Sequence, residues 1–315
     1  MTRPRKGNKQ GAEIILRPHQ FCNLTEVVIR PEDTVDSIRR KVEIAAILGT
    51  IQSSFTNFPY LRKIWKKNTE EERLLGVSLT GIYDNPLTYD PDPNFLEELK
   101  HLAVRVNKTW AEILGIEPSM AVCCIKPSGT VSQLVNAASG IHPRWSKYYI
   151  RRVRNDNKDP LTNFMIQQGV PAEPALTSPN QTTVFSFPQK APDHGVTRDD
   201  ITALDHLGLW KTYRTHWCEH NPSITVNVRE HEWLDVGAFV WQNMEELGGV
   251  SFLPYDNGSY KNMQPPYEAI TKEEYDDLVA AMPTHVDWDS LIEDDDNVEG
   301  VQTLACTGNV CEINL

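Results

Sequence analysis

Apolar positions recur along this chain with two periods, and the two alternate. Residues 24–29 (LTEVVI) form a short apolar run, the mark of a strand, and residues 36–55 then repeat at three- and four-residue steps, which predicts a helix. Residues 76–82 (GVSLTGI) read as a second strand entered and left through glycine-containing turns. The strongest helical signal covers 94–114, where Phe95, Leu99, Leu102, Val106, Trp110 and Ile113 share one stripe. Pro93 stands just before it and Gly115 is placed to cap its end. Residues 121–125 predict a short, fully apolar third strand, leading through K-P-S-G-T into a helix at 131–138. Residues 148–153 and 182–187 alternate at period two and are expected to pair as an added ribbon. A helix over 199–218, a strand at 223–228 (SITVNV), a helix over 232–247 and a strand at 250–255 (VSFLPY) complete the pattern.

Five strands joined mostly by helices predict an α/β fold with a largely parallel sheet, because each parallel crossover needs a helix-sized connection. The E-D-D-D run after a last short helix reads as a solvated break before a mobile tail. No internal repeat or low-complexity block interrupts the chain.

Composition narrows the function classes. The 315 residues are 40% hydrophobic and 23% charged, as in a globular protein of one large or two ordinary domains. A net charge of −12 disfavours a nucleic-acid binder. No apolar run approaches the ~20 residues needed to span a bilayer. The basic start M-T-R-P-R-K lacks the apolar segment of a secretory signal, so a reducing cytoplasm is expected. Cysteines there serve as core, metal-binding or redox groups more often than as disulfides.

Two places carry candidate chemistry. In K-P-S-G-T (126–130), Gly129 lets backbone N–H groups approach a ligand, and Ser128 and Thr130 add hydroxyls, which suits a phosphate. A plain turn with a helix cap accounts for the same residues. Of the six cysteines, Cys123 and Cys124 face opposite sides of a strand and are expected in the core, as is Cys218. Cys22 stands at an element end, open between structure and function. Cys306 and Cys311 occupy a polar tail, where packing does not explain them. Zinc would want tighter spacing and a second ligand pair, so a dithiol arm for thiol–disulfide exchange is preferred.

Longer stretches carry a resemblance. A-E-I-I-L-R-P-H-Q-F-C-N-L-T-E-V, G-V-S-L-T-G-I, K-P-S-G-T-V-S-Q-L, S-G-I-H-P-R-W-S-K-Y-Y-I-R-R-V-R, N-P-S-I-T-V-N-V-R-E-H-E-W, S-F-L-P-Y-D-N-G-S-Y and the C-x4-C tail resemble, in order, the C-terminal half of a ribonucleotide reductase catalytic subunit. The likeness runs from about Gly11 to Leu315 and is nearest the adenosylcobalamin-dependent, class II branch in the form common among phages. One feature supports that branch. The strand that carries a pair of adjacent redox tyrosines in class I reads F-L-P-Y here, with Leu253 and Pro254 before a single Tyr255.

The resemblance implies the second five-stranded half of a ten-stranded α/β barrel over 11–292, followed by a redox tail over 293–315. It implies a thiyl-radical reduction of ribonucleotides with adenosylcobalamin as cofactor, in a bacterial or phage-infected host cytoplasm. By match of position, Glu13 takes the 3′-hydroxyl proton and Cys22 is one of two substrate-reducing thiols. Pro127, Ser128, Gly129 and Thr130 hold the substrate phosphates. Cys306 and Cys311 shuttle electrons from a thioredoxin- or glutaredoxin-like partner. No protein metal ligand is implied, and the match does not separate diphosphate from triphosphate substrates.

The chain also departs from the family. The finger-loop motif N-P-C-G-E-I is replaced by K-Q-G-A-E-I, so Gly11 stands where the radical cysteine belongs. Likeness stops abruptly before Gly11, and residues 1–10 are expected to be foreign sequence at an interrupted gene. An N-terminal half would then be needed to supply the radical cysteine and the partner of Cys22. A non-catalytic remnant that binds phosphate, and a thiol–disulfide oxidoreductase using only the tail pair, remain alternatives.

Overall fold

The computed structural model describes residues 13–193, 195–255 and 263–292. The expectations for residues 1–10, Gly11, Cys306, Cys311 and the tail from 293 lie outside the described residues. The elements run β1 (Asn23–Val28), α1 (Val35–Gln52), α2 (Lys63–Glu72), β2 (Leu75–Thr80), α3 (Pro86–Tyr89), α4 (Pro93–Leu114), α5 (Val131–Leu134), β3 (Tyr148–Asp156), α6 (Pro160–Gln167), β4 (Ala172–Pro174), β5 (Thr182–Lys190), α7 (Ala203–His216), β6 (Ile224–Val228), α8 (Trp233–Gln242), β7 (Val250–Pro254), β8 (Tyr267–Ala269) and α9 (Lys272–Ala281). The described residues divide into two compact units. One holds 13–143, 195–196 and 200–254, and the other 144–193, 197–199, 255 and 263–292.

In the first unit β1 pairs with β2 and β6 with β7, both in parallel. Between them, residues 121–125 bridge β2 at Val77↔Cys123 and reach the start of β6 at Ile125↔Pro222, again in parallel. The predicted third strand is therefore present only as isolated bridges. Pro222 has no N–H to give to a ladder, and the Glu219 and His220 N–H groups converge instead on the Cys123 carbonyl, each at 3.0 Å. The result is a mixed α/β unit with small, open sheets.

Helices cover one face. Thr34 and Ser37 form a capping box that starts α1, which buries Ile38, Val42, Ala45, Ala46 and Gly49. In α4, Pro93 is the first helical residue, with the Asp92 side chain accepting from the Asn94 N–H. Gly115, at φ +66°, ends the helix in the left-handed region. Asn107 on α4 donates to Thr50 Oγ1 on α1 at 2.9 Å, satisfying both groups in the core. The helix expected over 131–138 closes after one turn. Asn136 turns left-handed at φ +49°, and the Ala137 N–H returns to Ser132 O at 2.8 Å.

The second unit is a four-stranded sheet in the order β4-β5-β3-β8. Its centre is the ribbon that alternation predicts, with β3 antiparallel to β5 from Tyr148↔Lys190 to Asp156↔Thr182. Arg152 on β3 and Glu268 on β8 form a buried ion pair at 2.6 Å. Among the described residues no helix is long and apolar enough to cross a membrane.

Candidate active site

Strand alternation sorts the first unit into two faces. Val27, Ile29, Leu75, Val77, Leu79, Cys123, Ile125, Ile224, Val226 and Val228 all enter one hydrophobic core. The intervening positions carry Leu24, Glu26, Gly76, Ser78, Cys124 and Lys126, and the chemistry gathers on that face. Cys22, directly before β1, continues the alternation of Leu24 and Glu26. Gly76 is the floor of the group. A Cβ there would stand 2.5 Å from Leu24 Cδ2, 2.7 Å from Ile14 Cδ1 and 3.0 Å from Cys124 Sγ. Only glycine lets those three side chains converge.

Glu13 lies over this face and is 8% exposed. Its carbonyl accepts the Asn221 N–H at 3.0 Å, and its carboxylate meets the Lys126 ammonium at 3.6 Å. Lys126 is held at the backbone, where its N–H donates to Ser78 Oγ at 2.9 Å. Burial raises the Cys22 thiol above its ordinary value. Lys126 opposes the shift, as does a backbone hydrogen bond, while Glu13 adds to it. Cys124 is fully buried, and its thiol is pushed up by burial and then by Glu13, Cys22 and Glu26, with Lys126 opposing. A thiol, a carboxylate and a cation near both thus occupy one surface, a set able to pass protons and, with a second thiol, an electron pair.

The K-P-S-G-T loop leaves the same face. Gly140 underlies it at φ +56°, where a Cβ would stand 2.6 Å from Lys126 O. The Ser128 N–H donates to Ser139 Oγ at 3.0 Å. Ser128 Oγ donates to Glu26 Oε2 at 3.0 Å and accepts the Ser132 N–H at 3.1 Å, and the Ser132 hydroxyl donates to Ser128 O. The Thr130 side chain makes no capping bond, so the cap is Ser128. The N–H groups of Gly129, Thr130 and Val131 have no acceptor among the described residues. Behind the loop, His142 Nδ1 bonds Ser139 O at 2.9 Å, and its Nε2 accepts the Thr225 N–H at 3.0 Å. Burial lowers this ring's pKa to about 4, and that of its neighbour His206 to about 3.

Glu13 and Cys22 share one surface, and Pro127, Ser128, Gly129 and Thr130 form the loop beside it. Cys123 and Cys218 are buried as expected. Cys124 is buried too, but on the face that carries the chemistry. Sequence reasoning passed over Glu26 and Lys126. Glu26 follows Cys22 by four residues on an alternating strand, and Lys126 opens the phosphate motif, so both signals were present. Among the described residues no group of His, Cys, Asp or Glu is arranged to hold a metal ion.

Parallel strands that carry a thiol, a carboxylate and a glycine-containing loop on the face opposite the hydrophobic core define a mixed α/β protein. Comparison with known proteins makes this more specific. The chain is 28% identical over 312 residues to an adenosylcobalamin-dependent ribonucleoside-triphosphate reductase of Euglena gracilis, covering 97% of this chain and 42% of the relative. A reductase of the same name from Lactobacillus helveticus is 26% identical over 342 residues, covering 98% and 45%. Among solved structures, a B12-dependent (class II) ribonucleotide reductase matches with a TM-score of 0.70 at 24% identity, over 86% of this chain and 42% of that one. No protein-family model matches. The resemblance read from the motifs is borne out by relatives of that name along nearly the whole chain, and the α/β fold by the structural match. The chain spans less than half the length of these relatives.

Proposed function

We propose that this chain is the C-terminal part of an adenosylcobalamin-dependent ribonucleotide reductase, converting ribonucleotides to 2′-deoxyribonucleotides. The observation that carries the proposal is the joint placement of Glu13, Cys22, Lys126 and the 126–130 loop on one face, in a chain similar to such reductases along almost all of its length. Residues 11–292 form the second half of the barrel in this reading, and 293–315 the redox tail.

The residues divide the work. The open N–H groups of Gly129, Thr130 and Val131, with Pro127 and Ser128 shaping the loop, hold the substrate phosphates. Glu13, paired with Lys126, accepts the proton of the 3′-hydroxyl. Cys22 gives up its hydrogen and, with a second thiol from an N-terminal half, supplies two electrons by becoming a disulfide as the 2′-hydroxyl leaves as water. Cys306 and Cys311 return those electrons from a thioredoxin- or glutaredoxin-like reductant. The thiol and carboxylate present fit a cobalamin-initiated reaction, while no described residue is assigned to hold the corrin. When bound, adenosylcobalamin supplies the radical. With Gly11 at the radical position, that radical must rest on a cysteine supplied by the N-terminal half.

The test mixes this chain with ribonucleotides, adenosylcobalamin and a thioredoxin system, with and without a separately expressed N-terminal half carrying the radical cysteine. Deoxyribonucleotide is expected only in the complemented mixture, and is lost in Cys22→Ser. No product in any mixture sends the reading to a non-catalytic, phosphate-binding remnant. Reduction of insulin disulfides by the chain alone favours a thiol–disulfide oxidoreductase.

A further inference from the structure

A serine hydroxyl has one proton to give, and that of Ser128 goes to a carboxylate. Ser128 Oγ donates to Glu26 Oε2 at 3.0 Å while accepting the Ser132 N–H at 3.1 Å. Ser128 is 7% exposed, so neither bond is shared with bulk water. A phosphate oxygen only accepts, and a hydroxyl spent on Glu26 has nothing to offer it. Among the described residues, the Gly129, Thr130 and Val131 N–H groups are the donors left open. Glu26 comes from β1, a different element from the loop it holds, and it brings a negative charge to a site read as binding anions.

Resting on the phosphate reading of the loop, we propose that Glu26 is its positioning residue: it fixes Ser128 as a strut rather than a phosphate donor, and its charge holds down the loop's affinity for a polyphosphate anion. The strut orders the turn, because the oxygen that Glu26 orients is the one that caps the Ser132 N–H. The charge works the other way on the ligand. A polyphosphate bound at the open N–H groups is repelled by a carboxylate one side chain away, while the Lys126 ammonium is engaged by Glu13 at 3.6 Å. Burial holds the Glu26 carboxyl above its ordinary value, with the Ser128 hydrogen bond and Lys126 opposing. A group in that balance is sensitive to a second anion. The arrangement makes release of a spent nucleotide easier than an all-cationic cradle would.

The experiment titrates inorganic triphosphate into the full chain and into Glu26→Gln and Glu26→Ala, with hydrogen exchange of the Ser132 amide followed by NMR. Glu26→Gln keeps an oxygen that accepts from Ser128 and removes the charge. It is expected to bind triphosphate roughly three- to tenfold more tightly at low salt, a gain that shrinks as salt rises, with Ser132 exchange unchanged. Glu26→Ala removes the strut, and Ser132 exchange is expected to accelerate at least about tenfold. Unchanged or weaker binding in Glu26→Gln, or Ser132 exchange indifferent to Glu26→Ala, overturns the inference and leaves the phosphate loop standing. Absence of triphosphate binding in all three proteins removes the phosphate reading and this inference together.

Discussion

His142 and His206 form a buried pair whose protonation should set how the first unit tolerates acid. The rings stand 5.7 Å apart, edge to face, and are 1% and 3% exposed. Each is tied to the backbone in its neutral form: His142 bonds Ser139 O and the Thr225 N–H, and His206 bonds Ile141 O at 2.9 Å. An imidazolium cannot accept the Thr225 N–H. Burial lowers the two pKa values from 6.5 to about 4 and about 3. The unfolded chain therefore takes up these protons first, near pH 6.5, while the folded chain does not. Stability attributable to the pair is complete above that pH and is lost as pH falls. By linkage each ring costs about 1 kcal/mol at pH 6 and about 2 kcal/mol at pH 5, so the pair removes on the order of 4 kcal/mol at pH 5. Against a total of about 5–15 kcal/mol for a domain, that is a large fraction. Urea unfolding followed by tryptophan fluorescence at pH 8, 6 and 5 measures it. His206→Gln can still donate to Ile141 O but does not titrate, and should lose about 2 kcal/mol less than the parent between pH 8 and 5. Parallel pH curves for the two proteins would refute the reasoning.

Two further outcomes follow from the same face. Lys126→Met removes the cation that opposes burial of Cys22, so the thiol pKa rises. Alkylation at Cys22, resolved by peptide mass spectrometry, should slow roughly three- to tenfold at fixed pH, and Lys126→Arg should restore it. An unchanged profile would show that Lys126 does not act on the thiol. Gly76→Ala drives a methyl into Leu24, Ile14 and Cys124. It should cost about 1–3 kcal/mol in thermal unfolding and weaken the Lys126–Glu13 pairing by displacing Ile14; an unaltered melting temperature would contradict the close packing described here.

Where the fold was legible, the sequence held its reasons locally. Pro93, the stripe through α4 and the left-handed Gly115 are all read from neighbouring residues. Residues 148–153 and 182–187 do pair as an antiparallel ribbon, although burial does not alternate along it: Tyr149 and Ile150 are buried side by side and Val153 is exposed. Two helices lack such a signal. α2 buries only Thr69, so no apolar stripe marks it, and α9, expected only as a last short helix without bounds, buries nothing. The T-x-x-E box at Thr271 and Glu274 was the one readable sign of α9. The third strand is interrupted for a non-local reason: it meets β2 on one side, but on the other it meets a proline 97 residues beyond Ile125.

The site was legible in a different way. The 126–130 loop was read from its own glycine and hydroxyls, while Glu13 and the role of Cys22 came from motif likeness, and neither route says how the residues meet. Alternation supplies that missing step. On β1, β2 and the 121–126 segment, one parity enters the core, and the other carries thiol, carboxylate and cation. A swap of parity at any one strand would exchange Glu26 for Val27, or Lys126 for Ile125, and put a charge into the core. The energetic penalty of that burial makes the register self-enforcing. The chemistry therefore sits where it does because the apolar residues between its members have nowhere else to go.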